Sequence, residues 1–174
     1  MINIPNLITL IRILMIPLFV LFAASKPFVG AVIFAIASIT DLLDGYVARR
    51  SKQVTKLGTL LDPIADKLLV IAALIVFVDM EMIPSWIAIV ITVREMLVTW
   101  LRFVALTEDI IIPAESGGKL KMTAQITAIL VLLVDKANYI PVDLYGVGLV
   151  TLWIAMLVGI ASGVQYFRLF WSRL

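Results

Sequence analysis

Apolar residues fall along this chain in long stretches, each closed by a short polar or Pro/Gly break. A helix needs about 20 predominantly apolar residues to cross the hydrocarbon core of a bilayer. The pattern predicts six such helices, at residues 6–25, 28–49, 58–79, 84–107, 119–136 and 144–170. The breaks are Ser25 to Pro27, Arg50 to Lys56, Asp79 to Pro84, Glu108 to Gly118 and Asn138 to Asp143. No repeat or low-complexity segment interrupts them, and no stretch is long enough for a soluble domain. The expected fold class is therefore an all-α integral membrane protein, one six-span domain over residues 1–174.

Composition agrees with the pattern: 63% of residues are hydrophobic, 15% are charged and the mean hydropathy is +1.12, outside the range of soluble globular domains. The placement of lysine and arginine orients the spans. With a cytoplasmic N-terminus, the inside segments hold Arg49, Arg50, Lys52, Lys56, Lys119, Lys121, Arg168 and Arg173, and the outside loops hold Lys26 and Lys136. Both termini are expected on the cytoplasmic side of the cell membrane. The net charge of +2 reflects this topology rather than nucleic-acid binding. The start of the chain resembles a signal sequence only superficially, because Arg12 interrupts the apolar run and no basic segment precedes it; it reads as a retained first span. Arg12, Lys67, Arg94 and Arg102 lie within or near the ends of spans, where a charge needs a partner, a water-filled cavity or a function.

There is no cysteine and no histidine, which excludes disulfides, thiol nucleophiles, thiolate zinc sites and imidazole chemistry. Carboxylates, lysines, arginines, hydroxyls or a bound cation must do any chemistry. The carboxylates are concentrated between positions 41 and 66. Asp41 and Asp44 are three apart on the second span, and Gly45 and Ala48 continue the same helical face. On the third span Gly58, Asp62 and Asp66 are spaced by four. The short basic loop between makes the two spans antiparallel neighbours and brings the four aspartates to one end.

An aspartate at the centre of a membrane helix costs about 2.5–3.5 kcal/mol and less near the interface, so four together call for positive charge among them. An all-oxygen set suits a hard cation such as Mg2+, Mn2+ or Ca2+ rather than zinc. Four carboxylates have room for two ions, the arrangement that clamps both oxygens of a phosphoryl displacement. Beside them, Gly45, Ala48 and Gly58 would let a diphosphate or a flat base approach the backbone; small residues at a helix contact are the other reading. Ion pairs with Arg49, Arg50 or Lys67 are the plainer account of the acids, but four on two matched stripes exceed what pairing needs. A cation or proton transporter is the alternative from another class. It would carry polar groups through the whole depth of the membrane, whereas these acids cluster at the cytoplasmic ends.

The run Asp41-x-x-Asp44-Gly45-x-x-Ala48-Arg49, followed after eight residues by Gly58-x-x-x-Asp62-x-x-x-Asp66, resembles the signature of the CDP-alcohol phosphatidyltransferases at every fixed position. That resemblance implies a six-helix homodimer, with a polar metal-binding cavity open to the cytoplasm, that moves a phosphatidyl group from a CDP-linked membrane lipid to an alcohol and releases CMP. It implies that Asp41, Asp44, Asp62 and Asp66 hold two divalent cations. Gly45, Ala48, Arg49 and Gly58, with Asp41, Asp44 and Asp62, would bind the CDP donor, and Asp66 would also be the general base.

Acceptor recognition is expected among the remaining charges. Arg94 and Arg102, eight apart, share a face of the fourth span, and with Lys119 and Lys121 they would form a basic pocket suited to an acceptor that carries a phosphate. The alternative is a buried Arg94-Glu95 pair with lysines that only obey the topology rule. Asn3-Ile4-Pro5-Asn6, Thr9, Arg12, Ile16-Pro17, Arg94-Glu95 and Gly118-Lys119-x-Lys121 are similar to the branch of the family that joins CDP-diacylglycerol to glycerol 3-phosphate. Met122 stands where that branch usually has threonine, with Thr123 following. Related branches accept inositol phosphate, inositol, serine or choline. Trp86, Trp100, Trp153 and Trp171 fit either interfacial belts or packing.

Overall fold

The computed structural model describes residues 4–51, 56–107, 116–139 and 141–172, and the side chains of 9–40, 65, 67–105, 120–139 and 141–172. Within them the chain forms α1 (Ile4–Ala23), α2 (Pro27–Ser51), α3 (Lys56–Asp79), α4 (Ser85–Thr107), α5 (Ser116–Ala137) and α6 (Tyr145–Trp171). There is no strand among the described residues. Every boundary lies within three residues of the expected span.

Short connections make sequential helices antiparallel, but the packing order differs from the chain order. α1 packs on α2 and α3, α2 on α5, α5 on α6, α6 on α4, and α4 on α3, which closes a ring. The expected direct contact of α2 with α3 is slight among the described residues, and α1 is the neighbour that both share.

The interior of the ring changes character with depth. Away from the chain termini it is filled by Phe19, Phe34, Phe77, Ile87, Leu132 and Leu152, all fully buried. The half nearer the termini encloses Thr9, Arg12, Glu95, Lys121, Gln125 and Ser162. At the apolar end α3 stops in a Schellman turn: Met82 N–H donates to Phe77 O at 2.9 Å and Glu81 N–H to Val78 O at 3.1 Å. Glu81 takes the left-handed φ of 57° that this turn demands, and Tyr145 Oη donates to Met82 O at 2.8 Å, holding the turn against the start of α6. Trp86 and Trp153 meet edge to face there, at 5.2 Å between ring centroids.

The outward faces are apolar. Leu14 and Leu21 of α1, Ile36 of α2, Ile75 of α3, Met96 of α4 and Leu157 of α6 are all at least half exposed, a distribution a water-soluble monomer rarely tolerates. Among the described residues, α6 is the one helix both long and apolar enough to cross a bilayer, while α1 and α2 hold the shorter apolar runs Thr9–Ala23 and Pro27–Thr40.

α5 and α6 approach closely at a point where α6 lacks a side chain. A Cβ at Gly148 would lie 2.7 Å from Leu132 Cγ, whereas one at Gly146 would meet nothing within 4 Å. Gly148→Ala is therefore expected to destabilise the protein by about 1–2 kcal/mol, because overpacking outweighs the helix-propensity gain. Gly146→Ala is expected to be neutral or stabilising. Thermal unfolding of the two variants in detergent checks the pair.

Candidate active site

Adjacent residues on a helix point about 100° apart, so Arg94 and Glu95 of α4 reach different neighbours. Arg94 turns to α6: its Nε donates to Gly159 O at 2.7 Å and its Nη2 to Ser162 Oγ at 2.5 Å. Two glycines of α6 face it: Cβ atoms at Gly159 and Gly163 would each lie 3.6 Å from Arg94 Nε, an ordinary contact. Glu95 turns to α5, where its Oε1 accepts from Lys121 Nζ, and the same oxygen accepts from Arg94 Nη1 at 3.0 Å. Three helices are thus joined, α4 to α5 through the Glu95 carboxylate and α4 to α6 through Arg94.

Among the described residues, two cations share this one carboxylate. Of Arg94's five N–H donors, three are committed to Gly159, Glu95 and Ser162. Gln125, Gly159 and Ile160 help to line a cavity of about 10 Å³ beside this cluster, about the space one water needs.

Of the residues expected to bind the acceptor phosphate, the structure brings Arg94 and Lys121 together, with Glu95 between them. Arg102, two turns along α4, is exposed and donates from Nη2 to Tyr166 Oη at 2.6 Å, with its guanidinium carbon 5.1 Å from the centre of that ring. The side chain of Lys119 lies outside those described. Gly159, Ser162 and Tyr166 were not expected here. The available signal was polar and small residues recurring inside an otherwise apolar helix, Gly159, Ser162, Gly163 and Tyr166.

The backbone places Asp41, Asp44, Gly45, Ala48 and Arg49 in the last three turns of α2, and Gly58, Asp62 and Asp66 in the first three turns of α3. Both motif halves are helical, as expected, and belong to the end of the bundle that carries the chain termini. Their side chains lie outside those described. Among the described residues no cluster of three or more potential ligands occurs. The chemistry of these residue types is one-sided: four carboxylates in a chain without histidine or cysteine would fit a hard divalent cation.

The family model of the CDP-alcohol phosphatidyltransferases matches residues 2–161. The chain is 40% identical to the CDP-diacylglycerol–glycerol-3-phosphate 3-phosphatidyltransferase of Bacillus subtilis, an alignment covering 100% of this chain and 98% of that protein. Identity to the proteins of the same name is 39% for Haemophilus influenzae, over 95% of this chain and 92% of the other. It is 40% for Rickettsia bellii, over 95% and 94%.

Removing the shared carboxylate takes from Arg94 and the buried Lys121 the acceptor they share. Glu95→Gln is expected to cost about 3–5 kcal/mol, the range for breaking a buried pair from one side. The same change at the exposed Glu81 is expected to cost little. Unfolding midpoints of the two variants, compared in one detergent, check this.

Proposed function

The chain belongs to the CDP-alcohol phosphatidyltransferase family, and from that premise we propose that it transfers the phosphatidyl group of CDP-diacylglycerol to glycerol 3-phosphate, giving phosphatidylglycerophosphate and CMP. The observation that carries this reading is identity near 40% over essentially the whole chain to proteins bearing that activity in their name. The meeting of Arg94 and Lys121 on one carboxylate supports an acceptor that itself carries a phosphate.

Asp41, Asp44, Asp62 and Asp66 hold two divalent cations, Mg2+ or Mn2+. When bound, these ions supply positive charge against the diphosphate of the donor and the departing phosphate. Gly45, Ala48 and Gly58 leave space for the CDP group along α2 and α3, and Arg49 pairs with its negative charge. Arg94, Arg102, Lys119 and Lys121 take the acceptor phosphate, with Glu95 fixing two of the four. Asp66 accepts the proton of the acceptor hydroxyl as its oxygen attacks the phosphorus nearest the lipid. The P–O bond to CMP breaks and CMP leaves with the electron pair. The residues contribute position and electrostatics, and no covalent intermediate is needed.

The apolar outer surface, the buried charges and the basic inside segments together support six membrane spans with both termini and the active site cytoplasmic. The protein works in the cell membrane as a homodimer.

Purified protein given CDP-diacylglycerol, labelled glycerol 3-phosphate and Mg2+ is expected to release CMP and labelled lipid in equal amounts, with little product from inositol phosphate, inositol or serine. Chelation of divalent cations is expected to stop the reaction. No product from glycerol 3-phosphate would sink the assignment. Asp66→Asn is expected to lower CMP release by at least about 100-fold, the usual scale for a general base, while CDP-lipid binding persists. Equal loss of both would make Asp66 chiefly a ligand.

A further inference from the structure

Two contacts set the register of α1 against α2. A Cβ at Gly30 would sit 2.7 Å from Ala23 Cα, so the backbones touch there. Four residues back along α1 and four forward along α2, Phe19 meets Phe34 at 5.7 Å between ring centroids. The helices run antiparallel and in step. Seven residues make two helical turns less about 20°, so a further step of seven keeps the same faces and adds about 10 Å of depth. That step leads from Phe19 to Arg12 and from Phe34 to Asp41. Three residues more lead to Thr9 and Asp44.

Burial follows the same stripes. On α1 it runs Ala23, Phe19, Arg12, Thr9, with Arg12 at 0% exposure and Thr9 at 1%. On α2 it runs Ala31, Phe34, Ala37, Ser38, and Asp41 is the next position of that series. α1 also packs against α3, where Ala65, beside Asp66, is fully buried. The helix that carries Arg12 therefore lies against both helices of the aspartate motif.

A fully buried guanidinium must meet negative charge, because the effective cost of an uncompensated buried ion is several kcal/mol. The described carboxylates at other levels do not serve. Glu95 is held by Arg94 and Lys121, and Asp79, Glu81, Asp135 and Asp143 lie at the opposite end of the bundle. Of the four motif aspartates, Asp41 and Asp44 are on α2, whose register with α1 brings them to the depth of Arg12 and Thr9; these contacts fix no such register for Asp62 and Asp66 on α3.

We propose that Arg12 is a positioning residue for the transferase reaction: it is the fixed countercharge of the Asp41–Asp44 pair on α2. It holds the two carboxylates at a set spacing against their mutual repulsion before any divalent cation arrives. Thr9 lies a turn nearer the chain start on the same face, level with Asp44. The assignment rests on the reading of these aspartates as the cation site. A guanidinium suits the task because its planar fork can bridge two carboxylate groups, whereas an ammonium is a point charge. Arg12 thereby acts through the aspartates and not on the reacting atoms.

The test is a double-mutant cycle read by thermal unfolding in detergent with chelator present, without substrate or metal. In the native background, Asp41→Asn or Asp44→Asn is expected to lower the midpoint, since it strips Arg12 of its partner. In the Arg12→Gln background at least one of those changes is expected to raise the midpoint, since it removes one of two repelling charges. Arg12→Lys is expected to lie between wild type and Arg12→Gln. A reversal of sign at Asp41 or Asp44 supports the countercharge role; equal shifts in both backgrounds at both positions overturn it. If Arg12→Gln alone does not accumulate, recovery of folded protein in the double variant supports the proposal, and its continued absence with both aspartate changes overturns it. Because no substrate enters the cycle, failure of the transferase assignment and failure of this proposal give separate results.

Discussion

Charge inside an apolar bundle has to meet opposite charge, and the architecture of this protein turns on how that requirement is met. Glu95 accepts from Arg94 on its own helix and from Lys121 on α5, while Arg94 also donates to the Gly159 carbonyl and to Ser162 on α6. A buried pair of this kind gives little net stability beside a well-packed apolar substitute, because desolvation consumes most of the attraction. What it does give is discrimination among arrangements. Any sliding of α4, α5 or α6 along its neighbour would strand one of the three charges, so these contacts select one register for half of the ring.

The division of the interior by depth follows from the same requirement. Fully apolar packing is confined to the end away from the termini, where Phe19, Phe77, Ile87 and Leu132 fill the centre. The two glycines that α6 turns toward α5 show the change. Gly148 is pressed so closely by Leu132 that a Cβ would lie at 2.7 Å, whereas at Gly159 the nearest Lys121 carbon would be at an ordinary 3.5 Å. Moving eleven residues along α6 moves the contact eleven residues back along α5, from Leu132 to Lys121, so both distances belong to one helix pair. That pair is tight at the apolar end and eases toward the polar end, where Arg94 and Lys121 need volume.

Helix number and boundaries were legible in the sequence because they depend on local runs of apolar residues and on local breaks. The largest discrepancy, α5 beginning at Ser116 rather than Lys119, arises from Gly117-Gly118, which reads as a break but is tolerated in a first turn. The order of helices around the ring was not legible, since short loops fix only which helices are antiparallel. α1 therefore emerged unexpectedly as the shared neighbour of α2 and α3. Arg94, Glu95 and Lys121 stood out as charges in apolar context, yet their partners Gly159 and Ser162 did not, because a serine and a glycine in a membrane helix carry no charge to be balanced. Arg102 was expected on the same face as Arg94 by spacing, but its hydrogen bond to Tyr166 depends on the turn of α6 that passes it.

The carboxylate at the centre of an otherwise basic cluster has a functional logic in a phosphate-transferring enzyme. If Arg94 and Lys121 stood without Glu95, they would repel each other and would bind any phosphate strongly. The acceptor brings a phosphate to the site, and the lipid product leaves still bearing it. Binding that is equally strong before and after the chemical step adds nothing to turnover. Glu95 cancels one positive charge, spaces the two cations and leaves part of Arg94's donor set uncommitted. In the proposed mechanism the cluster is thereby biased toward holding a phosphate in place for attack rather than trapping it, with the step that differs between substrate and transition state assigned to the aspartates on α2 and α3.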